Sequence, residues 1–164
     1  MAEFHIPEQH AQGNIYNAET INIGDGPQDH RAAGRAALTA RLYPEAVRHL
    51  RQLAEQGAAT ADDYYYLGLA GLAGVHPGRL DSQRVTGVMR RFVRAVELDA
   101  RCHHAKIAAI VVNDGLLERG GRISRSIAPD TRRSLSALDP AHAAEIREHV
   151  PVPASPVWQA VAQR

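Results

Sequence analysis

Gly34 and Gly68 lie 34 residues apart, and each stands at the same place in a recurring run of residues. A fixed period of this kind constrains a chain more than composition does, because one small unit must stack on its neighbours to bury its apolar face. After Gly34 come Tyr43-Pro44-Glu45-Ala46, Leu50 and Leu53. Asp63-Tyr64-Tyr65-Tyr66-Leu67 then leads into Gly68, and Phe92, Ala95, Val96, Glu97, Leu98 and Asp99 follow. The small residues Gly34, Ala46, Gly68 and Ala95 suit places where two helix backbones approach closely, with the large residues filling the gaps between them.

The punctuation between these residues is helical. Asp29 is a good N-cap for a helix running to about Leu42, and Pro44 falls in the first turn of a second that buries Val47, Leu50 and Leu53 and stops at Gly57. Thr60 opens a third, with Asp63 three residues on as a short capping box, ending near Gly74. His76-Pro77-Gly78 signals a loop. Long helices are expected from Ser82 to Asp99 and from Cys102 to Leu117, then short ones opened by Pro129, Pro140 and Pro156. Only 5% of the residues are aromatic, and much of the 45% hydrophobic share is alanine, a mix that favours close-packed helices over a β-sandwich. The expected fold class is all-α, an antiparallel array of helix hairpins.

At this spacing, and on these residues, the chain resembles the tetratricopeptide repeat family over about residues 28–118. The resemblance departs from the family pattern at Ala100, where proline usually stands, at Ile110, where glycine is expected, and in some eight extra residues around His76 to Ser82. It implies stacked hairpins whose first helices line a concave groove. Carried over position by position, that groove would consist of Arg31, Arg35 and Leu38, then Tyr65, Leu69 and Leu72, then His104, Ile107 and Val111. The implied ligand is a peptide or protein partner. The lysine and asparagine pattern of carboxylate-clamp members is missing, and with so few repeats the chain's own termini are an alternative occupant. Residues 119–164 read as an arginine-rich loop and capping helices.

Residues 1–27 differ in character. Between Gly13 and Gly24, Ile15, Ile21 and Ile23 share one face of an extended strand, and the stretch contains no proline and a single charge, Glu19. Asn14, Asn17 and Asn22 can stack as amide ladders between in-register copies, as a cross-β zipper requires. Ile15-Tyr16-Asn17 followed by Ile21-Asn22-Ile23-Gly24 resembles the RIP homotypic interaction motif, with Asn22 where that motif carries glutamine. The resemblance implies self-association of the kind found in microbial signalling and defence proteins that join a templating segment to a repeat or effector domain. A hairpin that caps the helices and a flexible tail are the alternatives for this segment.

Little points to catalysis, and no catalytic residue, metal or cofactor is expected. Cys102, the single cysteine, excludes an internal disulfide and a multi-cysteine zinc site. Cys102-His103-His104 puts successive side chains on different faces of a helix, so the three cannot close on one ion; His142, Glu145 and His149 are closer to one face but lack further ligands. Gly68-x-x-Gly71-x-x-Gly74 sits in a helix, not after a strand, so it is no phosphate loop. Arg119, Arg122, Arg125, Arg132 and Arg133 form a basic cluster suited to phosphates, but with no aromatic residue to stack a base and a net charge of +1 the balance is against nucleic acid. The start, Met1-Ala2-Glu3-Phe4-His5, lacks the basic and apolar runs of a secretory signal, and no stretch is long and apolar enough to span a bilayer. A cytoplasmic location is expected, and Lys106 as the only lysine among many arginines suggests a bacterial source. The expected function is that of an interaction adaptor: repeats binding a partner, the amino-terminal motif binding its own copies. A plain peptide-binding module with an amino-terminal cap is the alternative.

Overall fold

The computed structural model describes residues 26–120 and 128–163. Among these residues there are eight α-helices and no strand: α1 (Pro27–Thr39), α2 (Tyr43–Glu55), α3 (Ala61–Leu72), α4 (Ser82–Leu98), α5 (His103–Arg119), α6 (Pro129–Ser136), α7 (Pro140–His149) and α8 (Pro156–Ala162), with a 3-10 turn at Pro77–Arg79. The β-prone segment, including Ile15, Tyr16, Asn17, Ile21, Asn22, Ile23 and Gly24, lies outside the described residues. No described helix is long and apolar enough to cross a membrane.

The expected start and stop signals operate in most helices. Proline occupies the first turn of α1, α2, α6, α7 and α8, where its missing N–H costs nothing. Thr60 and Asp63 form a complete capping box at the start of α3. Gly57, at a φ of 68°, terminates α2 in the left-handed conformation, and the Ala58 N–H closes the end by donating to the Leu53 carbonyl. Both ends of α1 differ from expectation, and it stops at Thr39 rather than Leu42. Gly26 rather than Asp29 caps α1, because Pro27 takes the first helical position and Asp29 falls inside the first turn.

Consecutive helices pack on one another from α1 through α5. The two glycines that set the period sit at helix contacts. A Cβ on Gly34 would come within 2.8 Å of Leu50 Cγ, and one on Gly68 within 2.5 Å of Phe92 Cε1, so any side chain there forces the neighbouring helix away. Gly71 lies beside Val88 and Gly68 beside Phe92, so α3 and α4 run antiparallel. The additional chain of the second hairpin lies in the α3–α4 connection. There the 3-10 turn is pinned to α5: Arg119 donates to the Gly78 carbonyl at 3.0 Å, and His76 Nε2 lies 3.0 Å from Glu118.

Helix α5 is the centre of the molecule. It packs against α3, α4, α6, α7 and the 3-10 turn, and Ala105, Ile107, Ala108, Val111 and Val112 are all buried. Its apolar residues surround the axis instead of forming one stripe, as expected of a helix covered on several sides. The carboxyl-terminal helices belong to the same core. Ile146, Val150, Val152, Val157 and Trp158 are buried, the Trp158 indole donates to the Val152 carbonyl at 2.8 Å, and Ser155 donates to Asp114 of α5. Trp158 is thus a packing anchor.

Candidate functional site

The residues assigned by resemblance to a concave groove do come together, but as core. Leu38, Tyr65, Leu69, Leu72, Ile107 and Val111 are buried in the main apolar cluster, together with Ala143 and Ile146 of α7. Helix α7 packs against both α3 and α5. An open groove at these six positions is therefore corrected to a closed one, and the physical reason is that the chain's own seventh helix supplies apolar cover. Arg31 is also committed internally, its guanidinium gripping the Asp63 carboxylate at 2.8–3.0 Å and the Ala58 carbonyl at 3.0 Å. Of the assigned cations only Arg35 stays at the surface, stacked 4.7 Å over the Tyr66 ring.

Where α7 meets α3 and α5 the contact is polar at its edge. The Tyr65 hydroxyl donates to Glu145 at 2.9 Å, and the His142 ring lies face to face on His104 with centroids 4.1 Å apart. Tyr65 also meets His104 edge-on at 4.5 Å. Further along α7, His149 packs against Tyr43 of α2, its Nδ1 3.3 Å from the hydroxyl. His142, Glu145 and His149 therefore share a face, as the spacing implied, and each serves a separate partner. Burial holds His149 below the usual histidine range and Glu145 above the usual carboxylate range, and burial with the neighbouring His142 lowers His104.

His104 has two more neighbours. Its Nε2 lies 3.0 Å from Asp62 Oδ1 and 3.1 Å from Cys102 Sγ. The expectation that Cys102 and His104 face apart assumed that both are helical. Cys102 is instead the N-cap of α5, with φ −69° and ψ 67°, so its side chain leaves the helical progression and turns toward His104. His103 does follow the helix and points elsewhere, toward the cleft described below. A cysteine, a histidine and an aspartate in contact suggest a nucleophile relay, but such a relay uses the two ring nitrogens separately. Here thiol and carboxylate share one nitrogen, and burial pushes the Cys102 thiol up to about 11.

One open feature of the surface is a cleft of about 690 Å³ between α4, α5 and α6, more apolar than the larger opening of about 1060 Å³ beside the 3-10 turn. Phe92, Val93, Val96, Ala109 and Ile110 make its apolar lining, with Glu97, Lys106, Asp130 and Arg133 around it. Val93 is 52% exposed and continues the apolar lining out to the surface. His103, on the cleft wall, keeps its Nδ1 buried with no hydrogen-bond partner. Sequence reasoning missed this cleft; Val93, an apolar residue beyond the Phe92, Ala95 and Val96 that one helix face buries, was its available signal.

The arginines that sequence groups together are described only in part. Arg119 is spent on the 3-10 turn, Arg132 and Arg133 lie exposed on α6 with Arg133 3.7 Å from Asp130, and Arg122 and Arg125 fall outside the described residues. No family model, curated protein or solved structure matches this chain.

Proposed function

We propose that the protein is a non-enzymatic interaction module in which tetratricopeptide-like hairpins hold a peptide segment of a partner protein, while residues 15–24 drive homotypic assembly. The observation that carries the first half is the α4–α5–α6 cleft. A small molecule needs most of its surface enclosed, whereas an open apolar trough suits a peptide that lays one face into it and leaves the other in water. The rim carries both signs, and three of its four charges are already paired, Glu97 with Arg94 at 3.1 Å and Asp130 with Arg133 at 3.7 Å. The fitting occupant is an amphipathic segment without strong net charge.

Panning a random peptide-display library on the full chain is expected to enrich sequences with regularly spaced apolar residues. Val93→Glu, at a position the fold leaves half exposed, is expected to abolish their retention without changing the far-UV circular dichroism. Enrichment of nothing, or peptides held equally by both proteins, would sink this half of the reading.

The second half rests on the Ile15-Tyr16-Asn17 and Ile21-Asn22-Ile23-Gly24 pattern. The full-length protein is expected to form thioflavin-T-positive fibrils visible by electron microscopy, and a variant with alanine at Ile21, Asn22 and Ile23 to form none. If both stay soluble and equally helical, the plain peptide-binding module stands alone.

A further inference from the structure

A second site lies away from the cleft, where the starts of α3 and α5 meet. Asp62 is the second residue of α3, Cys102 caps α5, and His104 is the second residue of α5. One oxygen, one sulfur and one nitrogen from these residues lie within 4.8 Å of one another. Two of the three separations converge on a single atom, His104 Nε2. A hydrogen on Nε2 can serve the Asp62 carboxylate or the Cys102 sulfur but not both well, and Arg35 NH2 lies 3.9 Å from the other Asp62 oxygen. A carboxylate oxygen, an imidazole nitrogen and a sulfur this close together form a donor set that a cation can join.

We infer that Asp62, Cys102 and His104 bind one divalent ion of the zinc class, with water as the fourth ligand. The donor set is a thiolate, an imidazole and a carboxylate, which suits zinc and its neighbours and excludes magnesium and calcium. Bond lengths of about 2.0 Å to N and O and about 2.3 Å to S place tetrahedral ligands roughly 3.3 Å (O to N) and 3.6 Å (S to N) apart. The observed 3.0 and 3.1 Å require these two pairs to part by about half an ångström or less, while sulfur and oxygen, within 4.8 Å of each other, settle at tetrahedral spacing by rotation of the half-exposed Asp62 side chain. Thiolate and carboxylate together cancel the ion's charge, so a largely buried site ends neutral. The surroundings are built as well: Cys102 is buried, and the His104 ring is held between the edge of Tyr65 and the face of His142. The Asp62 side chain, 51% exposed, leaves one side open for water. His142 is not the fourth ligand, because its ring stacks parallel to His104, 9° from coplanar, and so presents its face.

Full-length protein stripped with a chelator and titrated with Co²⁺ is expected to bind one ion per chain. It should show a near-ultraviolet sulfur-to-cobalt charge-transfer band and the visible bands of tetrahedral cobalt, both abolished by added Zn²⁺. Cys102→Ser is expected to remove the charge-transfer band and weaken Zn²⁺ binding at least tenfold. Asp62→Asn, at a half-exposed position whose loss the fold tolerates, is expected to weaken Zn²⁺ at least tenfold while keeping the band at saturating Co²⁺. Absence of the band in the parent protein, or Zn²⁺ affinity unchanged in both variants, overturns the assignment. Val93→Glu should bind metal normally, so the result stands apart from that of the peptide experiment.

Discussion

Arg31→Ala is expected to destabilise the protein by about 3 kcal/mol, measured by urea unfolding at pH 7, with a fall in Tm of roughly 10 °C. Asp63 is the reason. Its side chain is fully buried and accepts from Arg31 Nε and NH2, from the Thr60 backbone N–H and from the Thr60 hydroxyl. Arg31 thus ties α1 to the cap of α3 and, through the Ala58 carbonyl, to the turn between α2 and α3. Removing it strands a charge whose water is already gone, and breaking a buried pair costs roughly 3–5 kcal/mol. The low end applies because Thr60 and the positive end of α3 still face the carboxylate. Arg31→Lys should fall between parent and alanine, since an ammonium keeps the charge and loses the two-pronged grip.

Acid provides a second readout. Burial alone would raise the Asp63 pKa, but the bonds from Arg31 and Thr60 outweigh it and leave the carboxyl below its ordinary range. A carboxyl lowered on folding contributes stability that is present above its unfolded pKa, near 4, and is lost as pH falls through the folded value. The parent should therefore lose stability below about pH 4, and the gap between parent and Arg31→Ala should narrow there. Equal urea midpoints at pH 7 would mean that the pair does not hold α1 to α3.

How much of this was legible in the sequence depends on the range of the interaction. Thr60 and Asp63 are three residues apart, and the prolines opening α2, α6, α7 and α8 act on their own helices, so these signals could be read directly. Gly34 and Gly68 marked real helix contacts, because a missing Cβ is visible in a sequence even when the atom that fills its place is not. The partner of Asp63 was not visible. Nothing local to Arg31 distinguishes a groove cation from one that crosses to the cap of another helix.

The site was less legible than the fold for a related reason. Tyr65 meets Glu145 across 80 positions of sequence, and His104 meets His142, so the residues that cover the presumed groove lie beyond any repeat period. The contact between Cys102 and His104 was hidden differently. Two residues apart in a helix would face apart, and only the cap conformation of Cys102 brings them together. Cys102, His103 and His104 still do not converge, since His103 faces the cleft; only Cys102 and His104 meet.

Ile146→Asp is expected to produce the largest change, costing more than about 4 kcal/mol, because a carboxylate in an apolar core has neither water nor a partner. Ile146 is completely buried in the cluster that also contains Tyr65, Leu69, Leu72, Ile107 and Val111. The loss should be local first. Helices α1 to α5 form a continuous series of pairwise contacts, whereas α7 meets the rest mainly through α3 and α5. Far-UV circular dichroism should therefore retain most of its helical signal while Trp158, which follows α7 and is 6% exposed in the parent, shifts its fluorescence to the red. Detaching α7 uncovers Tyr65, Leu69 and Leu72, so the variant should also bind the dye ANS where the parent does not. Ile146→Ala gives the milder comparison, a loss of roughly 2–5 kcal/mol with no charge to expel the helix. A fully unfolded Ile146→Asp would show that α7 is inseparable from the hairpins. A folded one with buried Trp158 would show that α7 is not what closes the α3–α5 face. Red-shifted tryptophan with retained helix would make α7 a built-in occupant of the face that resemblance assigned to a partner, leaving the α4–α5–α6 cleft as the open face for peptides.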